Sequence, residues 1–191
     1  MQVDPSSIMV FSDSAQWEKW LEKNGKLSDG IWLRLGNKNS NLKTLSYVEA
    51  VDVALCFGWI DSLVHKYDAS SHIQKFTPRR KRSIWSKINR EKVERLIKEG
   101  KMRPSGLIQV VAAKKDGRWE AAYDSPTTST IPEEFIKELG KHKKAKEFFA
   151  TLNKSNLYAI SWRLQTAKKP ETRANRMRVI IEMLAKGEKF H

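Results

Sequence analysis

The sequence has little of what usually marks export or chemistry. It has a single cysteine, Cys56, so no internal disulfide can form, which suits a reducing compartment. The longest apolar run, from Val53 to Ile60, is eight residues with Gly58 inside it, far short of the roughly 20 residues a membrane span needs. Its first residues, Met1 to Pro5, carry no basic patch followed by an apolar stretch, so no secretory leader is read there. No phosphate-binding glycine loop, GxSxG, HExxH or CxxC occurs, which removes the standard nucleotide-loop, serine-nucleophile and metalloprotease readings. Internal repeats and low-complexity tracts are also missing. These absences together predict a cytoplasmic protein with no cofactor and no metal.

What is present is a globular composition with a strong charge bias. The chain has 191 residues, 40% of them hydrophobic, with seven tryptophans and seven phenylalanines. That is enough for one sizeable core or two small packed units, and too apolar for a disordered chain. Lysine and arginine number 36 against 22 acids, a net charge of +14. Residues 75–103 hold twelve of the cations with three acids, and residues 137–178 hold twelve more with three. The remainder is net acidic. Such fields attract polyanions, whether nucleic acid, anionic headgroups or phosphorylated metabolites; a solvated surface that keeps the protein soluble is the competing reading.

Hydrophobic periodicity predicts an α+β protein: a small antiparallel sheet with flanking helices, followed by an all-helical C-terminal part. Residues 13–24 place Trp17, Trp20 and Leu21 on one helical face before Gly25. Residues 31–35 alternate as a strand with one buried face. Ser46 and Glu49 form a capping box ahead of Val48, Val51, Val53, Ala54 and Leu55, with Gly58 as the stop. Residues 59–67 and 72–77 read as a hairpin around the turn at 68–71. The pattern is then helical, with one stripe of Trp85, Ile88, Val93, Leu96 and Ile97, and a second of Leu107, Ile108, Val110 and Val111 opened by Pro104. Further helices are predicted from Pro132 and near 143–152, 155–168 and 170–186. We expect an α+β unit over 1–117, a connector over 118–131 pinned by Trp119 and Tyr123, and a helical unit over 132–191 packed on the first, or one compact domain.

Candidate chemistry concentrates at the hairpin and the segment after it. Trp59 and Asp61 are followed by Arg79, Arg80, Lys81, Arg82, Ser83, Trp85 and Asn89. Guanidinium forks with free backbone amides at a loop favour phosphate or carboxylate, and Trp59 and Trp85 could stack on a ring. The plainer reading makes both tryptophans core, pairs Asp61 with an arginine, and uses Thr77, Ser83 or Ser86 as a cap. A pocket at this junction, with Asp61 as acid/base or orienting carboxylate and Arg80 as anion clamp, would suit a small-molecule enzyme or receptor. Near the C-terminus the basic turn with Lys168 and Lys169, leading to Arg173 and Arg176, resembles a helix-turn-helix able to reach nucleic-acid phosphates; a helical hairpin explains the spacing equally well. Of the four histidines (65, 72, 142 and 191), His65 and His72 could meet across the hairpin near Cys56, although strand histidines are commonly structural. Cys56 itself sits in an apolar stretch and reads as core.

Five stretches carry a family likeness: ALCFGWID at 54–61, FTPRR at 76–80, SIWSKIN at 83–89, GRWEAAYD at 117–124 and TAKKPETR at 166–173. In this order they resemble the bacterial YdeI/OmpD-associated proteins, also called bacteriocin-protection proteins, from about Phe11 to Phe190. The resemblance implies a bacterial cytoplasmic protein whose C-terminal helices correspond to the part that gives the family its name. It supplies no established catalytic residues to carry over. A chain of +14 repels cationic peptides, which disfavours capturing them directly and favours an anionic partner. The expectation is a non-enzymatic anion-binding stress or peptide-resistance factor.

Overall fold

The computed structural model describes residues 3–189. The reading of the first two residues, His191 and the last residue of the family likeness lie outside them. The chain divides into two units, Met1–Ile84 with Asn89–Glu120, and Trp85–Ile88 with Ala121–His191.

The first unit is built on four strands in the order β1-β2-β4-β3: β1 (Ile8–Met9), β2 (Ile31–Gly36), β3 (Trp59–Lys66) and β4 (Ser71–Pro78). β2 runs antiparallel to β4 with Ile31 opposite Phe76 and Leu35 opposite His72, and β3 completes the expected hairpin with β4. The sheet is mixed rather than purely antiparallel, because β1 pairs parallel with β2, Ile8 opposite Trp32. Two residues are too few to show alternation in a sequence. β3 slips register between Asp61 and Val64. The buried Gln74 serves that slip, its Nε2 donating to the carbonyls of Leu63 (3.2 Å) and Ser62 (3.4 Å).

One sheet face carries the core. Helix α1 (Ser14–Asn24) lays the fully buried Trp17 against Phe11 (5.4 Å between centroids), Phe76 (5.8 Å) and Trp59 (6.2 Å). The Trp17 indole N–H donates to the Ala50 carbonyl at 3.1 Å, tying α1 to helix α2 (Tyr47–Cys56). Deleting such a ring costs about 3–5 kcal/mol. The prediction of one buried face for β2 fails. Trp32, on the opposite face, is buried too, under the His65 ring (5.3 Å) and the Lys75 ammonium (5.7 Å).

α2 starts at the predicted capping box: the Glu49 amide donates to Ser46 Oγ at 3.3 Å, and the Ser46 amide to Glu49 Oε2 at 3.0 Å. Gly58 follows the helix at φ +78°, a left-handed conformation only glycine adopts cheaply. Val48, predicted on the apolar stripe, is exposed; Ala50, Val51, Ala54 and Leu55 are buried. Helix α3 (Lys87–Lys98) buries Val93 and Leu96 but exposes Ile88 and Ile97, and Trp85 precedes it. The largest departure is helix α4 (Pro104–Lys115), where Leu107, Ile108 and Val111 are exposed, the last two 64% each. Its packed side is set by Gly106: a Cβ there would collide with the Cys56 carbonyl and lie 2.9 Å from that of Leu55. The helix is therefore seated backbone to backbone, and Val110 and Ala113 face inward with the glycine.

The second unit is helical: α5 (Glu133–Leu139), α6 (Lys143–Phe149), α7 (Lys154–Gln165) and α8 (Pro170–Ala185). α6 ends at Phe149, short of the predicted 152, because the chain turns to the cap at Asn153, whose side chain accepts the Asn156 amide. Phe135, Leu139, Ile160, Leu164 and Ile180 are at most 2% exposed and form the core. Residues 85–88 belong here through a two-bond ladder, Tyr123 N–H to Trp85 O (3.0 Å) and Lys87 N–H to Tyr123 O (2.9 Å). Among the described residues no helix is long and apolar enough to cross a membrane.

Candidate functional site

The segment after β4 is anchored at both ends and bare in the middle. The Arg79 amide donates to the Gly58 carbonyl at 2.9 Å, and its buried guanidinium gives Nη1 to the Ile84 carbonyl at 3.2 Å. Burying a guanidinium is costly unless it is hydrogen-bonded, so the bond fixes the segment rather than leaving it to swing. Residues 80–83 close a turn: Ser83 N–H reaches Arg80 O, and Arg80 N–H reaches Ser83 Oγ, both at 2.9 Å. Arg118 Nη1 donates to Ser83 O at 2.8 Å, its own charge held by Asp116.

Arg80, Lys81 and Arg82 project from this turn into solvent. Among the described residues they make no ion pair, whereas Arg34, Arg90, Arg95, Arg103, Arg118, Arg173 and Arg178 all do. Beside the turn a cleft of about 400 Å³ is lined by Ser62, Lys75, Thr77, Arg80 and Ser83, with Leu63 and Pro78. Among the described residues it holds two cations, three hydroxyls and no carboxylate. Of these, Thr77 enters the sequence reading only as a helix cap, and Lys75 lies outside the nominated segment. Lys75 and Thr77 stand two apart on one strand and so share a face, but that signal needs the hairpin register before it means anything.

The other sequence-nominated residues lie elsewhere. Trp59 is 2% exposed, packed in the first unit's core with its N–H on Gly25 O at 3.3 Å. Asp61 is half-buried and accepts the Tyr47 hydroxyl at 2.8 Å. Asn89 lies half-buried in α3, and Trp85 is buried in the second unit. On the α7–α8 link Lys168 and Lys169 are exposed. Arg173 is ion-paired with Glu134, and Arg176 donates to the Arg163 carbonyl.

The His65–His72–Cys56 grouping does not form. His65 stands opposite Ile73 and Lys66 opposite His72, so adjacent register positions put the two histidines on opposite faces. His72 Nδ1 lies 3.1 Å from Asn37 Oδ1. No cluster of three His, Cys, Asp or Glu able to hold a metal occurs among the described residues. Cys56 is buried, and burial, followed by the charges of Glu18 and Asp52, pushes its thiol up to about 11. It borders a cleft of about 500 Å³ where Glu18 holds Arg103 across the lining and Asp52 is held by Lys92 and Arg95.

Two family models match the chain. Residues 9–109, more than half of it, match a domain of unknown function, DUF8412. Residues 128–187 match the model described as bacteriocin-protection, YdeI or OmpD-associated. No curated protein and no solved structure matches. The turn at 80–83 and its cleft fall within the first matched stretch.

Proposed function

The chain belongs to the family of that N-terminal domain of unknown function and carries a YdeI/OmpD-associated domain behind it; from that premise we propose a non-enzymatic, anion-binding stress or peptide-resistance factor. Its anion site is the turn of Arg80, Lys81 and Arg82 with the adjoining hydroxyl-lined cleft. The observation that carries this is the contrast in pairing: among the described residues three adjacent cations lack counter-ions on a turn hydrogen-bonded at both ends, while arginines across both units are ion-paired. Cations held without internal partners are available to an external polyanion, and a pre-set turn lowers the ordering cost of binding. The likeness of residues 128–187 to bacteriocin-protection proteins supports the resistance role. The charge sign directs it toward anionic partners rather than toward cationic peptides themselves.

Inorganic polyphosphate, which carries phosphates but no bases, is the test probe. By calorimetry its affinity is expected to fall linearly in log–log terms with salt, and the double variant Arg80→Glu/Arg82→Glu is expected to weaken it by about tenfold or more at low ionic strength. Binding that ignores salt, or that the double variant leaves intact, refutes the assignment.

A further inference from the structure

The second unit has a cleft that the turn does not involve. It measures about 570 Å³ and is lined by Tyr158, Trp162, Lys154, Arg163, Pro126 and Thr127, with Ser155 and Ala159 between them. The α7 spacing builds one wall: Lys154, Tyr158 and Trp162 are four apart, so they stack along one helix face over about 12 Å at 1.5 Å per residue. Cations stand at both ends, Lys154 at the start and Arg163 beside Trp162. Among the described residues no carboxylate lines the space. The nearby acid, Asp124, is neutralised by Lys87 at 2.5 Å and held by Gln165 Nε2 at 2.8 Å.

The opposite wall is preformed. Gln165 Oε1 takes the Asp124 amide at 3.0 Å, and Tyr158 Oη reaches the Asp124 carbonyl at 3.4 Å. Ser161 Oγ donates to Thr130 O at 2.7 Å and receives Ser129 Oγ at 2.6 Å. Between these points Ser125 Oγ ties Thr127 (2.8 Å) and Thr128 (2.9 Å) into a tight turn. The loop from 124 to 130 is thus stapled along α7, and Trp162 is braced edge-on by Tyr123 at 6.1 Å. A rigid aromatic slot of this volume is suited to a planar ring, and cations flanking it are suited to phosphate.

We propose that this cleft binds a nucleotide, its base stacked on Trp162 and Tyr158 and its phosphate held by Lys154 or Arg163. Two cations at opposite ends fit a base with a phosphate on either side, as in a single strand; one cation suffices for a mononucleotide. Base stacking tolerates any base, so little sequence preference is expected. The assignment stands apart from the turn in the first unit and does not need it.

The test uses the full chain with AMP, a short fluorescent oligoadenylate, adenosine, inorganic phosphate and benzoate, by calorimetry and fluorescence anisotropy. AMP is expected to bind more tightly than adenosine or phosphate alone. Lys154→Glu, on an exposed side chain, and Trp162→Leu are each expected to weaken it about tenfold or more. Should Trp162→Leu unfold the unit, Lys154→Glu and Tyr158→Leu decide the matter. Measured in the Arg80→Glu/Arg82→Glu background, oligoadenylate far tighter than AMP assigns the site to a strand, and equal affinities assign it to a free nucleotide. The proposal is overturned if AMP and the oligomer do not bind at millimolar concentration, if phosphate or benzoate binds as well as AMP, or if only the arginine double variant abolishes binding.

Discussion

Asp68 carries more of the hairpin turn than its exposure suggests. The Ser71 hydroxyl donates to its carboxylate at 2.8 Å, the Ser70 amide and hydroxyl add to this, and Arg34 closes an ion pair at 2.6 Å. Led by the Ser71 bond, these contacts hold its acid constant down to about 2, against roughly 3.9 for a free aspartate. A depressed carboxyl stabilises the fold above the unfolded value and stops doing so as pH falls through the folded one. Wild type is therefore expected to melt higher than Asp68→Asn at neutral pH, with the difference shrinking as pH is lowered from about 4 to about 2. Melting curves across that window check it, and a gap that persists at the acid end would contradict it. Residues 68–71 themselves supply the Ser70 and Ser71 contacts of a legible turn; what they do not announce is Arg34, which arrives from a strand 34 residues earlier.

Among the elements, α4 separates what a sequence says from what packing decides. Its face is chosen by the close approach of Gly106 to the end of α2, so Gly106→Ala is expected to cost about 1–3 kcal/mol in urea unfolding. Ile108→Ala on the open side should stay within about 0.5 kcal/mol. Equal effects would mean the helix is seated differently. The capping box at Ser46 and Glu49, the hairpin, and α8 opening at Pro170 were legible because their signals are local. The seat of α4 was not, because a glycine inside a helix looks like a weakness until the neighbouring carbonyls are in place. The second face of β2 was hidden likewise, covered by His65 and Lys75 from other strands. The basic turn was readable as charge density, but the paired arginines around it gave the same signal. Tyr158 and Trp162 look like an ordinary apolar stripe until residues 124–130 fold over them.

For the molecule as a whole, charge sets behaviour in solution. With a net +14 and an isoelectric point near 9.9, copies repel one another at neutral pH. Solubility is expected to pass through a minimum near pH 10, where that repulsion vanishes; light scattering across an alkaline titration tests this, and a minimum near neutrality would point to a patch-driven association instead. A second safeguard lies in β3, one of the two edge strands of the first unit's sheet. An open edge offers unpaired amides and carbonyls as a template for strands from other chains. Here the slip between Asp61 and Val64 breaks the edge's regular spacing, and Gln74 occupies the Ser62 and Leu63 carbonyls. An incoming strand would find its ladder interrupted midway, so the bulge makes this border a poor seed for fibril growth.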